Sequence, residues 1–369
     1  MNKIFLIVGV RPHFVKISSL LKELEKNFNV VLIHTCQHYD YNMSTTFFED
    51  LGIRNPDYML VQDNVMENEK FFGMSIEICK LINKEWPKCI LVIGDSNTPL
   101  AAALAGKISN VKVAHIEAGV RNYDENMVEE ANRTLIDRIS DIYFTTTKGC
   151  IENLKRENIN NNIFFVGDLL LEAINKTNKT NTYKKDVVNT VGFYSGYILL
   201  TMHRKENTSN KNYIREVMES LNEMNYKVIF PMHPKVKSIF LEDKELKEYF
   251  DNEKILLIDA VNHEDIVKLI ENSQVVVTDS NGIQRESYFL KKPCIILRTS
   301  TEVKETLKNN CAVIIGNNIT KMKHYIDYYM ENPKLIYELD QFGGDGVSEK
   351  ISKILYEYLE NSEKNSANY

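Results

Sequence analysis

The chain has 369 residues, 43% hydrophobic and 26% charged, the composition of a soluble globular protein with room for two cored domains. A net charge of −6 argues against a nucleic-acid polyanion as the main partner. No apolar run approaches the roughly 18 residues of a membrane span, and the first residues flow into a motif instead of a signal peptide, so a cytoplasmic protein with no membrane partner is expected.

Taken in chain order, the pattern is strand then helix, repeated. Ile4–Val8 reads as a buried strand, followed by a Gly/Pro turn and a helix from about Val15. Val30–His34, Cys89–Ile93, Val111–Ile116, Ile142–Thr145 and Ile163–Val166 are the next strands. Continuous apolar strands separated by helices imply a parallel sheet covered on both faces. The polar stretch Asn175–Asn189 has little periodicity and reads as a connection between domains. Strands then resume at Tyr197–Thr201, Lys227–Pro231, Ile255–Ile258, Gln274–Thr278, Cys294–Leu297 and Ala312–Ile315. Ile351–Leu359 has apolar positions at helical spacing and is expected to dock as a helix, with Glu360–Tyr369 frayed beyond it. The expected fold class is α/β: two Rossmann-like doubly wound domains, 1–174 and 190–345, with 346–369 as C-terminal helix and tail. Strand ends would line a cleft between them. The six cysteines include no C-x-x-C pair and several lie in apolar runs, so free thiols are expected, with no disulfide and no metal.

Almost every chemically notable motif follows a strand. His115-Ile-Glu117-Ala-Gly119 ends one, and Glu129-Glu130-Ala-Asn132-Arg133 opens a helix-like run. Carboxylates at neighbouring element ends can form an acid/base pair. Glu129 and Glu130 also fit a plain helix start, where the macrodipole favours acids, but Glu117 lies in an apolar stretch. Gly9-Val-Arg11-Pro12-His13-Phe-Val-Lys16 joins a helix start to cations, which suits a phosphate or is a βα turn with surface charges. Asp95, after Gly94, is a helix cap or a carboxylate held for chemistry. His203, beside Arg204 and Lys205, suits an anionic leaving group; His233, between Met232 and Pro234, sits in a turn fixed by prolines. In Thr278-Asp279-Ser280-Asn281-Gly282-Ile-Gln-Arg-Glu286 a small-residue turn starts a helix whose N–H groups suit a diphosphate. Glu286, one turn in, suits ribose hydroxyls; the plain alternative is a helix capped by Asp279 or Ser280.

The series Gly9-x-Arg11-Pro12, Gln37-His-Tyr-Asp40, Gly94-Asp95, His115-Ile-Glu-Ala-Gly119, Glu129-Glu-x-Asn-Arg133, His203-Arg204 and Asp279-Ser-x-Gly-Ile-Gln284 resembles the UDP-N-acetylglucosamine 2-epimerase family. It keeps the family's order over roughly residues 4–316. The resemblance is closer to the non-hydrolysing branch, and within it to members such as the UDP-2,3-diacetamido-glucuronate 2-epimerases. It implies a glycosyltransferase-B-like fold, a UDP-sugar substrate, a homodimer, and no metal or other cofactor. The implied reaction inverts C2 of a UDP-linked 2-acetamido sugar by anti elimination of UDP to a 2-acetamidoglucal and re-addition. Asp95, Glu117 and Glu129 match the acid/base carboxylates, His203 the histidine near the leaving group, and Lys16 and Arg133 the supporting cations. Arg11, Ser280, Gly282 and Glu286 match the UDP-binding set, with His233 and Asn281 beside them. The chain departs from the family pattern at His13, at Asn281 in place of a glycine, in Arg298-Thr-Ser-Thr-Glu302-Val303, and in 62–72. These departures leave the sugar's C3 and C6 substituents open. Three other readings share the architecture: a hydrolysing epimerase, which would accumulate UDP; a glycosyltransferase, which would need an acceptor site; and a UDP-sugar sensor, which would bind without turnover.

Overall fold

A computed structural model describes residues 1–37, 48, 51–61, 66–180, 196–332 and 334–366. Three stretches read above lie wholly or partly outside the described residues: the Gln37-His-Tyr-Asp40 motif beyond Gln37, 62–65, and the connection from 181 onward. The chain divides into two compact units, Met1–Asn175 with Asp340–Tyr369, and Lys176–Leu339.

In the first unit the elements are β1 (Lys3–Val8), α1 (Arg11–Glu25), β2 (Asn29–His34), β3 (Tyr58–Met59), α2 (Glu67–Glu85), β4 (Cys89–Ile93) and α3 (Asn97–Ile108). They continue as β5 (Lys112–Ile116), α4 (Val128–Ile139), β6 (Ile142–Thr145), α5 (Lys148–Arg156), β7 (Ile163–Phe165) and α6 (Leu169–Thr180). The sheet is parallel throughout, in the order β3-β2-β1-β4-β5-β6-β7. Because side chains alternate across a strand, β1 feeds two cores. Leu6 and Val8 pack with Leu20 and Leu24 of α1, and Phe5 and Ile7 with Ile78 of α2 and Ala102 of α3.

The second unit holds β8 (Tyr197–Thr201), α7 (Lys205–Thr208), α8 (Lys211–Glu223), β9 (Val228–Met232), α9 (Pro234–Glu242), α10 (Lys244–Lys247) and β10 (Ile255–Asp259). After these come α11 (His263–Asn272), β11 (Ser273–Thr278), α12 (Asn281–Phe289), β12 (Cys294–Ile296), β13 (Ala312–Ile314) and α13 (Ile319–Glu331). Its parallel sheet runs β10-β9-β8-β11-β12-β13. The last helix, α14 (Val347–Ser366), returns to the first unit, where Ile351 and Leu355 join the α1 core. Both sheets reverse strand order once, between β1 and β4 and between β8 and β11. Ligands of open α/β sheets bind beyond the carboxyl ends of such strands.

The structure corrects several expected boundaries. The first helix begins at Arg11, not Val15, with Pro12 in its first turn, where a missing N–H costs nothing and the fixed φ suits a helix. The connection expected from Asn175 starts as helix, since α6 runs to Thr180. The tail expected to fray from Glu360 is helical through Ser366. No described helix is long and apolar enough to cross a membrane, and all six cysteines are free thiols.

Candidate active site

Gly9 opens the first site. A Cβ there would lie 2.0 Å from Thr98 Oγ1 and 2.3 Å from Thr35 Oγ1, so only glycine lets the chain leave β1 against these paired hydroxyls. Gln37 braces the same corner, its Oε1 accepting from the Thr98 backbone N–H (3.0 Å) and hydroxyl (2.8 Å). The helix that follows carries His13 and Lys16 on its buried side. Lys16 Nζ lies 2.6 Å from Glu117 Oε1, and both side chains are at least nine-tenths buried. Glu117, just past β5, has φ +71°, a left-handed conformation that a side chain adopts only when its surroundings enforce it. Enforcement comes from Glu117 and Ala118, whose N–H groups both donate to the Phe144 carbonyl, and from Gly119, where a Cβ would meet the Cys150 carbonyl at 2.3 Å.

His13 completes this corner. Its Nδ1 accepts from the Gly9 N–H at 3.3 Å. Burial, reinforced by Lys16, pushes its pKa down to about 3, so the ring is neutral with its proton on Nε2. A Cβ on Gly94 would stand 3.7 Å from Glu117 Oε2 and 3.8 Å from His13 Nε2; both polar atoms face the open side of Gly94.

The acidic run on α4 holds the loop after β4. Arg133 bridges Asp95 (2.5 Å) and Glu130 (2.9 Å), and Asn132 Nδ2 donates to the Asp95 carbonyl at 2.9 Å. Asp95 is therefore not a helix cap; Ser96 occupies that position. Glu130 is buried and accepts from the backbone N–H groups of Asn122 and Tyr123. It is a structural acid, which leaves Glu129 half-buried beside it with no ion-pair partner among the described residues. Beneath both loops runs a buried network that sequence reasoning missed. His115 bonds Asp137 through Nδ1 (2.6 Å) and the Gly94 carbonyl through Nε2 (3.0 Å). Asp137 also takes the Gly119 N–H (3.0 Å) and Arg121 (2.7 Å). Burial opposes its charge, but His115 and Arg121 outweigh that and hold its carboxyl below the usual range. One signal was available for His115, which sits inside the otherwise apolar end of β5; Asp137, between Ile136 and Arg138, offered none.

The second site is built around Asp279, which is fully buried after β11. Its carboxylate accepts from the backbone N–H groups of His203 (3.1 Å) and Arg204 (3.0 Å) and from Asn207 Nδ2 (3.0 Å). His203 Nδ1 lies 3.4 Å from Asp279 Oδ1, with the ring substantially exposed. Of the two expected caps of α12, Ser280 is the cap and Asp279 is the brace of the β8 loop. At Gly282 a Cβ would meet nothing nearer than Ser280 Oγ at 3.8 Å, so the helix start has an open face suited to an anion. Asn281 is the first helical residue, a position that asks for no glycine. Glu286, five residues on, is buried and bonded through Oε1 to His263 Nε2 at 2.9 Å. His233 caps α9 and its ring stands 6.4 Å from that of His203. Arg11 is the first residue of α1 and half-buried. The Arg298-Thr-Ser-Thr-Glu302 run folds onto itself as a buried two-pronged ion pair, 2.7 and 2.8 Å.

The first unit thus holds two carboxylate–cation pairs near the ends of β4 and β5, Lys16–Glu117 and Arg133–Asp95. In the second, Asp279 braces His203 and precedes the Ser280-capped start of α12, with Gly282 in its first turn. The family model described as UDP-N-acetylglucosamine 2-epimerase matches residues 22–356. A Methanococcus maripaludis protein named UDP-N-acetylglucosamine 2-epimerase homolog is 39% identical over 96% of this chain and 99% of its own. The Pseudomonas aeruginosa UDP-2,3-diacetamido-2,3-dideoxy-D-glucuronate 2-epimerase is 36% identical over 85% of this chain and 88% of its own. Among solved structures, Methanocaldococcus jannaschii UDP-GlcNAc 2-epimerase in complex with UDP-GlcNAc and UDP superposes with a TM-score of 0.87 at 36% identity, covering 96% of this chain and 99% of that one. With its family model spanning most of its length and relatives 36–39% identical over most of the chain, this chain belongs to the UDP-N-acetylglucosamine 2-epimerase family.

Proposed function

We propose that the protein is a non-hydrolysing C2 epimerase of a UDP-linked 2-acetamido sugar. The observation that carries this reading is the buried Lys16–Glu117 pair on a left-handed residue, beside the Arg133-held Asp95, in a chain of this family. In the proposed reaction a carboxylate of the first unit takes the C2 proton. The C2–H electrons form the C1=C2 bond, and the C1–O bond breaks with its pair leaving on UDP. Re-addition protonates C2 on the opposite face and re-forms the C1–O bond. Glu117, Asp95 and Glu129 are the proton-transfer groups, with Lys16 and Arg133 holding the first two in place. The second unit takes the leaving diphosphate: Ser280 and Gly282 at the helix start, His203 on its Asp279 brace, with Asn281 and His233 as further contacts and Glu286 on the ribose; Arg11 of the first unit is a further contact of the UDP. The exchange is redox-neutral and consumes no nicotinamide. The protein works as a cytoplasmic homodimer, for which light scattering would return twice the chain mass.

Proton NMR with UDP-N-acetylglucosamine in D2O tests the reading. Deuterium at C2, a second UDP-sugar and no free UDP are expected. Free UDP with a free 2-epimeric sugar would replace it with the hydrolysing reaction. Binding with no C2 exchange, for this sugar and for 3-acetamido and 6-carboxyl derivatives alike, would replace it with a sensor.

A further inference from the structure

Glu129, Arg133 and Asp137 recur at every fourth position of α4 and so share one face of that helix. Arg133 holds Asp95, and Glu129 belongs to the proposed proton-transfer set. Asp137, at the far end of the row, is fully buried against His115 of β5. The partners of this histidine fix where its protons are. Its Nε2 lies 3.0 Å from the Gly94 carbonyl oxygen, which can only accept, so Nε2 carries a proton. Its Nδ1 lies 2.6 Å from Asp137 Oδ1. The other Asp137 oxygen takes the Gly119 N–H (3.0 Å) and Arg121 (2.7 Å), partners that keep the carboxylate ionised, and an ionised carboxylate also only accepts. Both ring nitrogens therefore donate, and the ring is a cation between two fixed acceptors. Arg121, likewise buried, closes the set on Glu157 at 2.7 and 2.8 Å. Tyr143, in register with His115 on β6, turns its hydroxyl to the Ser140 carbonyl instead.

What the ring holds is backbone. The Gly94 N–H donates to the Ile116 carbonyl at 3.0 Å and the Gly94 carbonyl accepts from His115, so both polar atoms of this left-handed residue (φ +71°) are tied to β5. The Gly94 carbonyl shares a rigid plane with the Asp95 N–H, so the ring sets the direction in which Asp95 leaves its strand. Through Asp137 the same ring is linked to the Gly119 N–H, two residues past Glu117.

We infer that His115 is a positioning residue, a buried imidazolium that, with Asp137, keeps the peptide ahead of Asp95 in fixed register with the turn that carries Glu117. The inference rests on the proposed function, in which these two carboxylates move the C2 proton. The bond to Gly94 is the one that matters for Asp95, and the bond to Asp137 is the one that matters for the stability of the buried ions. His115 therefore governs the chemical step and leaves UDP affinity alone.

Two substitutions of the full chain separate the two bonds. His115→Gln puts an amide N–H at the place of Nε2 and keeps the Gly94 tie. His115→Asn puts one at the place of Nδ1 and keeps only the bond to Asp137. In His115→Asn, kcat for C2 deuterium exchange should fall roughly a hundredfold, the scale of an ångström of misplacement, with UDP affinity by calorimetry unchanged. His115→Gln should keep most of the wild-type kcat and yet melt lower than His115→Asn, because it abandons the bond between two buried ions. A purely structural histidine gives the opposite result, with kcat following the melting temperatures. Nitrogen NMR of the wild type, labelled at histidine, should show a proton on each ring nitrogen of His115 at neutral pH; this measurement needs neither variant to fold. A single ring N–H overturns the inference. So do kcat losses that follow the melting temperatures, equal kcat in the two variants, or an asparagine variant that loses UDP as well. A wild type that exchanges C2 of no UDP-sugar fells the proposed function and this inference with it; exchange in the wild type together with any of the preceding outcomes fells the inference alone.

Discussion

Asp279→Asn is the most direct test of how the second site is held. The wild-type carboxylate takes the His203 N–H on both oxygens, and the Arg204 N–H and Asn207 Nδ2 on Oδ2, at 3.0–3.1 Å. Asparagine keeps the shape but has one acceptor. In its best orientation the amide oxygen keeps Arg204 and Asn207, and its NH2 then faces the His203 N–H, donor against donor. The Oδ1 branch of the His203 bond is lost and a donor–donor contact takes its place, together costing about 1.5–3 kcal/mol, and the Arg204 and Asn207 bonds each drop by about 1 kcal/mol to neutral strength. The total is about 3–5 kcal/mol, a large part of the roughly 5–15 kcal/mol that stabilises an ordinary domain. Hydrogen exchange with peptide resolution reads it unit by unit. Amides of β8 and β11 should lose protection by roughly a hundred- to several-thousandfold, with those of β1 and β4 unchanged. Protection in β8 and β11 within about threefold of the wild type would refute the reasoning, since Asp279 would then contribute no more than a surface acid.

Glu117→Gln should abolish C2 deuterium exchange with UDP binding intact by calorimetry; a variant that exchanges at the wild-type rate removes Glu117 from the proton transfer. Gly9→Ala places a methyl 2.0 Å from Thr98 Oγ1, an overpacking of about 1–3 kcal/mol, seen as a melting temperature lowered by roughly 2–12 °C; an unchanged melt would mean the β1 turn yields freely. His13, held near 3 in the fold and near 6.5 unfolded, gives stability that is full above pH 6.5 and lost as pH falls toward 3. His34, lowered to about 4 by burial, acts in the same direction. The urea midpoint of the first unit should therefore fall with acid through this window, and His13→Gln should flatten the slope; identical slopes would contradict the burial of a neutral ring.

The strands were legible because parallel sheets buried on both faces demand unbroken apolar runs, and β4 and β6 appear with the residues expected of them. The two-residue β3, Tyr58–Met59, was not, because a strand so short has no period to detect. Helix ends drifted where local chemistry competed with pattern: Pro12 looks like a breaker and is a first-turn residue, and 175–180 is polar yet helical. At the sites, residue types and spacing singled out Glu117, Asp95 and Arg133. What spacing does not carry is which of two adjacent acids turns inward. Glu130 and not Glu129 is spent on Arg133 and two backbone N–H groups. Partners distant in sequence were equally invisible: Asp137 under His115, and His263 against Glu286, meet only after the sheets assemble.

The return of α14 to the first unit has a consequence for biosynthesis. The core around α1 includes Ile351 and Leu355, Asn27 Nδ2 donates to Ser352 Oγ at 3.1 Å, and Phe28 packs on Tyr356. Lys16 is carried on that same α1. Residues 176–339 form an uninterrupted unit, but the half that starts at Met1 stays unfinished while they are translated, roughly ten to thirty seconds at ribosomal rates. The half made first is thus the last completed. During that interval it exposes the apolar flank of α1 to chaperones and proteases, and a premature stop before Val347 would unseat Lys16 from more than 300 codons away.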